Sequence, residues 1–113
     1  MDIQGLVDLT GAKNLTPGVD AGREVLCGYS CDLLSWVMAH GKAGMAWITV
    51  QTHMNVVAVA TLMEMAAILV PENIVVAEDV LQRASDEGVA ILSSEKTAFE
   101  LCGLMYGAGI TKS

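Results

Sequence analysis

The second half of the chain alternates short apolar runs with segments of helical periodicity. The apolar runs predict buried strands at residues 47–50, 66–70 and 89–92. The segments between and after these strands predict helices at 55–63, at 78–87, and from Ser93 or Ser94 to about Tyr106, the last with Phe99, Cys102 and Met105 on its inner face. This order favours right-handed crossovers and a largely parallel sheet that helices cover on both faces.

The first half of the chain shows shorter and less regular patterns. Ile3, Leu6 and Val7 mark an opening helix that Gly11 ends, and a brief strand is predicted at residues 12–15. After a loop at 16–23, residues 24–29 have the composition of a strand, and a helix begins at about Asp32 with Leu33, Leu34, Val37 and Met38 at helical spacing. These earlier strands could run in either direction. The expected fold is one compact α/β domain, residues 1–113, in three α/β/α layers around a largely parallel or mixed sheet.

A polar turn lies between the predicted strand at 47–50 and the predicted helix at 55–63. It contains Gln51, Thr52, His53 and Asn55. Where the carboxyl end of a strand leads into a helix, open α/β folds present polar groups and free backbone N–H donors to a ligand. We therefore predict a ligand or partner site here, although ordinary capping of the helix by Thr52 and Asn55 would explain the same residues. The turn holds no glycine, so it is neither a P-loop nor a dinucleotide fingerprint.

Two residues outside the turn belong to the same predicted ligand site. Gly28 lies near the end of the strand at 24–29, where it indicates a close backbone approach, and Asp32 begins the next helix. The helix that follows the turn is apolar nearly all round. Such a helix is expected between a sheet and another surface, and a second subunit could supply that surface.

Composition and charge exclude several classes of partner. Of the 113 residues 53% are hydrophobic and only 4% are aromatic, and the net charge is -7. A chain this acidic and this poor in stacking side chains suits neither nucleic acid nor an anionic membrane, and the apolar stretch at 54–70 is shorter than the ~20 residues of a membrane span. The classes of partner that remain are another protein and a small anionic or nucleotide-like ligand. Three cysteines and an amino terminus without an apolar leader predict a cytoplasmic location.

The reactive side chains form no recognisable catalytic or metal-binding set. Cys27 and Cys31 lie four residues apart without a second pair, so we predict no metal and no other cofactor. Cys31 precedes a helix, and whether it is reactive stays open. An enzyme that used His53 with Cys31 or Ser35 would need an orienting group and an oxyanion site that the sequence does not reveal. We therefore predict no catalytic residues.

Three ordered blocks of sequence resemble the DRTGG domain family. They are GYSCDLLSWVM at 28–38, WITVQTHMNVVAVA at 47–60, and EGVAILSS at 87–94 with AFE at 98–100. The resemblance covers nearly the whole chain, but the Asp-Arg-Thr-Gly-Gly string that names the family is absent, and Gln51-Thr52-His53 occupies the corresponding turn. It implies a fold similar to the amino-terminal domain of HPr kinase/phosphatase. It also implies a non-catalytic regulatory or ligand-sensing module that tends to dimerise.

Three hypotheses on function follow. The first is a regulatory, ligand-sensing or protein-interaction module that acts as a homodimer. The alternative, which stand-alone relatives of the family suggest, is an accessory subunit of a redox complex of the hydrogenase type or of a signalling-kinase complex. The third is a small enzyme of the hydrolase type that uses His53.

Overall fold

One five-stranded sheet organises the chain. The computed structural model describes residues 1–111, whose elements in chain order are α1 (Ile3–Thr10), β1 (Lys13–Asn14), β2 (Cys27–Ser30), α2 (Leu34–His40), β3 (Met45–Ile48), α3 (Met54–Leu62), β4 (Ala67–Val70), α4 (Glu78–Glu87), β5 (Ala90–Ser93) and α5 (Ala98–Gly107). The strand order is β1-β5-β4-β3-β2. Strands β2 to β5 are parallel, and β1 pairs antiparallel with β5. The predicted largely parallel sheet is confirmed, and β1 makes it mixed.

Helices cover both faces of the sheet in three layers. Because β2 to β5 lie side by side in chain order, right-handed crossovers place α2, α3 and α4 on the same face. Val37 of α2, Val57 of α3 and Ala84 of α4 belong to the core on that face. Leu6 of α1 and Leu101 of α5 belong to the core on the opposite face. The predicted α/β/α architecture is therefore confirmed.

A row of small residues crosses the sheet on the face that α1 and α5 cover. Gly28, Ala46, Ala67 and Ala90 are paired in register across β2, β3, β4 and β5. The three alanines are buried in the core on that face, where short side chains let the helices lie close to the strands. A Cβ added to Gly28 would lie 3.1 Å from the Cε of Met105. The close backbone approach predicted at Gly28 is confirmed.

Local signals set several helix ends where the sequence predicts them. The side chain of Asp2 accepts a hydrogen bond of 2.7 Å from the backbone N–H of Gly5 and caps α1. Gly11 and Gly88 end α1 and α4 with φ angles of 68° and 74°, a left-handed conformation that favours glycine. Helix α4 has the bounds that its periodicity predicts.

The last helix begins later than predicted. Its N-cap is Thr97, which forms a reciprocal capping box with Glu100, whereas Ser94 is buried in the preceding loop. With this start, Leu101 and Met105 are buried, Cys102 is half-buried and Phe99 is 88% exposed. The prediction that Phe99 faces inward is wrong, because the cap places it in the exposed first turn.

The strands and helices around the polar turn are also displaced from their predicted positions. Strand β3 ends at Ile48 rather than at residue 50, since the polar groups of the next two residues bond to Asp32. Strand β2 is Cys27–Ser30 rather than 24–29. Helix α2 begins at Leu34, which leaves Leu33 as its N-cap and 61% exposed, and Met38 is 49% exposed. Of the four apolar residues at helical spacing, Leu33 and Met38 thus lie outside the core.

Candidate functional site

Asp32 joins the loops that follow β2 and β3. Its Oδ1 atom accepts a hydrogen bond of 2.8 Å from the hydroxyl of Thr49 and one of 2.9 Å from the backbone N–H of Val50. The side-chain amide of Gln51 donates to the carbonyl of Asp32 at 3.1 Å, and the backbone N–H of Gln51 donates to the hydroxyl of Thr49 at 3.1 Å. The structure thus brings together Asp32 and Gln51, two residues that the sequence singles out. We call these bonds the Asp32 network.

A buried tryptophan adds a further tie between the same strands. The indole N–H of Trp47, which is fully buried in β3, donates to the carbonyl of Cys31 at 2.8 Å. Cys31 also donates its backbone N–H to the carbonyl of Ile48 at 3.2 Å. The buried indole N–H thus finds its acceptor in the loop that follows β2.

Helix α3 begins just after the Asp32 network. Its N-cap is His53, rather than Thr52, and the carbonyl of His53 accepts a hydrogen bond of 2.9 Å from Val56. His53 and Asn55 are exposed, and Thr52 is half-buried. Within residues 1–111 the His53 ring forms no hydrogen bond with Cys31 or Ser35, so the geometry provides no paired nucleophile and base.

Gly28 lies apart from the polar turn. It lines a cavity of about 210 Å³ on the α5 side of the sheet, together with Ile48, Cys102, Met105 and Ile110. Its backbone N–H donates to the carbonyl of Thr111 at 2.7 Å. The structure explains Gly28 by packing, while its ligand role stays a prediction.

Four exposed apolar side chains belong to the segments that carry or directly follow the Asp32 network. Leu33 and Trp36 come from the start of α2, Val50 follows β3, and Met54 begins α3; their exposed fractions are 61%, 53%, 41% and 38%. We call Leu33, Trp36, Val50 and Met54 the α2–α3 surface. The ring of Trp36 stacks on that of His40, with 4.5 Å between the centroids. The sequence does not identify Leu33 or Val50 as surface residues, since both fit an apolar periodic pattern.

The polar turn encloses almost no space for a small molecule. The void bordered by Gln51, Thr52 and Val56 measures about 10 Å³. A volume of that size holds at most one water molecule. A ligand at this turn would therefore lie on an open surface.

A buried thiol and the placement of metal-ligating side chains complete the description of the reactive groups. Burial raises the pKa of Cys27, an effect that the nearby Lys42 ammonium partly opposes. Residues 1–111 contain no group of three or more His, Cys, Asp or Glu side chains placed to hold a metal ion. Helices long and apolar enough to cross a bilayer are also lacking in this part of the chain.

The fold of this chain is also found in a solved structure. It is the crystal structure of the CBS and DRTGG domains of the regulatory region of Clostridium perfringens pyrophosphatase, complexed with the activator diadenosine tetraphosphate. The TM-score is 0.72 at 10% sequence identity, and the likeness covers 92% of this chain and 45% of that chain. This chain therefore spans less than half the length of its structural neighbour. No protein-family model matches the chain, and no curated protein sequence matches it significantly.

Proposed function

We propose that this chain is a non-catalytic regulatory module of the DRTGG type that docks onto a protein partner through the α2–α3 surface. The observation that carries the proposal is the exposure of four apolar side chains in the two segments that the Asp32 network joins. Tryptophan and methionine are enriched where proteins bind one another, and an apolar patch with a polar margin is typical of an interface.

The polar margin consists of residues that the sequence singles out. Gln51, Thr52, His53 and Asn55 follow Val50 along the chain, and Asp32 precedes Leu33. In this proposal they form hydrogen bonds with a partner across a flat contact, since the void beside Gln51 and Thr52 is too small for a ligand. The Asp32 network holds both loops in place, so docking costs little ordering entropy.

The partner that we propose is a second copy of this chain. In a two-fold dimer the same surface of each subunit faces its copy. Like charges on that surface would therefore repel each other and disfavour the dimer. Asp32 is the only carboxylate within residues 31–40 and 49–58, although the chain carries 13 acidic residues. The α2–α3 surface is thus a part of this acidic chain through which two copies can approach without strong repulsion.

Ligand sensing completes the proposed regulatory role. The structural neighbour is a regulatory region described with the activator diadenosine tetraphosphate. That description supports a small anionic, nucleotide-like ligand for this chain as well. A place as an accessory subunit in a larger redox or signalling complex would use the same docking surface and is the alternative proposal.

Sedimentation velocity tests the docking proposal. We expect the wild-type chain to sediment as a dimer at micromolar concentration and Trp36→Glu to sediment as a monomer. The substitution would bury one carboxylate from each subunit in the interface. Phe99→Glu is the matched control, since Phe99 is an exposed aromatic residue of α5 on the other face of the sheet. Circular dichroism would verify that both variants fold.

Two results would overturn the homodimer. One is a wild-type chain that stays monomeric throughout the micromolar range. The other is dissociation by Phe99→Glu with Trp36→Glu still dimeric, which would transfer the interface to α5.

A further inference from the structure

A cavity of about 410 Å³ lies at the edge of the sheet where β1 pairs with β5. Residues from segments 11–15, 73–76 and 93–96 line it. Two of these segments follow the carboxyl ends of β4 and β5, which is where open α/β sheets bind their ligands. The volume falls within the range of roughly 300–1,000 Å³ that small-molecule sites occupy. Because β1 and β2 are opposite edge strands, this cavity is separate from the α2–α3 surface.

The lining combines an apolar wall with two ammonium groups. Leu15, Val75 and Leu81 contribute to the wall, and Val75 is 86% exposed, an unusual position for a large apolar side chain. Lys13 and Lys96 also line the cavity, although the whole chain has only 6 lysines and arginines against 13 acidic residues. The combination suits a ligand that is anionic at one end and apolar at the other.

Hydrogen bonds between the two loops keep the cavity in shape. The backbone N–H groups of Glu72 and Asn73 donate to the carbonyls of Lys96 and Ser94, both at 2.8 Å. Glu72 and Asn73 have φ angles of 58° and 57°, a left-handed conformation that side chains disfavour and that these bonds maintain. The site is therefore formed before a ligand arrives.

The ammonium group of Lys96 lies beside the C-cap of α1. A Cβ added to Gly11, the C-cap of α1, would lie 3.7 Å from the Nζ atom of Lys96. The Lys96 side chain thus extends from the loop after β5 to the segment that leads into Lys13. Lys13 lies two residues beyond Gly11 and also lines the cavity.

We propose that this cavity binds a nucleoside monophosphate, with the phosphate near Lys13 and Lys96 and the base against the apolar wall. Glu95 is the single carboxylate of the lining and supplies an acceptor for ribose hydroxyls, and Ser93 and Asn73 add further polar groups. Aliphatic walls replace aromatic stacking, in keeping with the low aromatic content of the chain. This inference rests on the ligand-sensing part of the proposed function, and it is independent of docking.

The test is a titration of the ¹⁵N-labelled full chain with AMP, followed by NMR. We expect saturable shifts that concentrate in segments 11–15, 73–76 and 93–96. Adenosine and inorganic phosphate, titrated separately, should each bind more weakly than AMP. The double variant Lys13→Gln with Lys96→Gln should raise the Kd for AMP at least about tenfold, because two charge-assisted contacts are lost. Lys42→Gln is the control, since this substitution removes one positive charge at a residue that does not line the cavity.

Several outcomes would overturn the site. They are an absence of saturable AMP shifts in the three segments, shifts centred on residues 51–55 instead, and a double variant that binds AMP as tightly as Lys42→Gln does. Phosphate binding as tight as that of AMP would refute the base contact. Repeating the titration with Trp36→Glu separates the two proposals, because the cavity should bind AMP whether or not the chain dimerises.

Discussion

The carboxylate of Asp32 accepts a hydrogen bond of 2.8 Å from the hydroxyl of Thr49. Thr49 is 1% exposed, whereas Asp32 lies on the surface. An exposed acidic side chain thus accepts the hydrogen bond of a buried hydroxyl group. It also accepts the backbone N–H of Val50, which therefore does not continue the hydrogen bonding of β3. The bond fixes the relative position of the two loops that carry the α2–α3 surface.

Replacing Asp32 should reveal this role. We expect Asp32→Ala to lower the free energy of unfolding by about 1–3 kcal/mol, because the Thr49 hydroxyl and the Val50 N–H would lose their acceptor. Asp32→Asn keeps an acceptor oxygen and should cost less. Urea unfolding of both variants measures the difference, and equal losses would show that the hydrogen bonds are not the cause.

Gly28 has little room for a side chain. In Gly28→Ala the new methyl group would lie 3.1 Å from Met105 Cε and 3.2 Å from Ile110 Cγ2, so we expect a loss of about 1–3 kcal/mol in unfolding free energy through overpacking.

Gly103→Ala provides the matched comparison on α5. A Cβ at Gly103 meets nothing within 4 Å, and alanine favours the helix by roughly 0.5–1 kcal/mol, so this variant should be more stable than the wild type. Thermal unfolding of both variants checks whether Gly28→Ala is less stable and Gly103→Ala more stable than the wild type. Equal stability of Gly28→Ala and the wild type would contradict the close packing of α5 on the sheet.

The three free cysteines should differ in their reaction with a thiol reagent. Cys27 is buried and its pKa is raised by burial, so little thiolate forms near neutral pH, whereas Cys31 and Cys102 are half-buried. In the double variant Cys31→Ser with Cys102→Ser, labelling should require opening of the fold. Its rate should therefore rise with urea concentration. Fast labelling of that variant in native buffer would contradict the burial of Cys27.

Glu100 should titrate below the ordinary range of glutamate. A hydrogen bond from the backbone N–H of Thr97, and next one from its hydroxyl, lower the pKa of Glu100. Because the folded pKa is depressed, the capping box contributes stability above the unfolded pKa, and this contribution is lost as pH falls through the folded pKa.

NMR titration of the Glu100 carboxyl group measures this effect. Thr97→Ala should raise the pKa of Glu100 part of the way, since the backbone donor remains, while Thr97→Ser should leave it low. An unchanged pKa in Thr97→Ala would show that the hydroxyl does not contribute.

Much of the fold follows from local patterns in the sequence. Helix α4 has its predicted bounds because its periodicity and the glycine at 88 act within one segment. The alternation of strands and helices is enough to predict the layers, since right-handed crossovers leave few arrangements. The polar turn at 51–55 is also recognisable, and in the structure Asp32 and Gln51 meet there.

The tertiary structure decided what depends on residues far apart in the chain. Leu33 and Phe99 look like core residues by their spacing, yet the Asp32 network and the Thr97 cap leave both exposed. The register that aligns Gly28 with Ala46 comes from strand pairing. The cavity of Lys13 and Lys96 likewise exists only once β1 pairs with β5. Hydrophobic periodicity predicts the elements because it is a property of neighbouring residues, while exposure and cavities depend on contacts between elements, which the sequence alone does not specify.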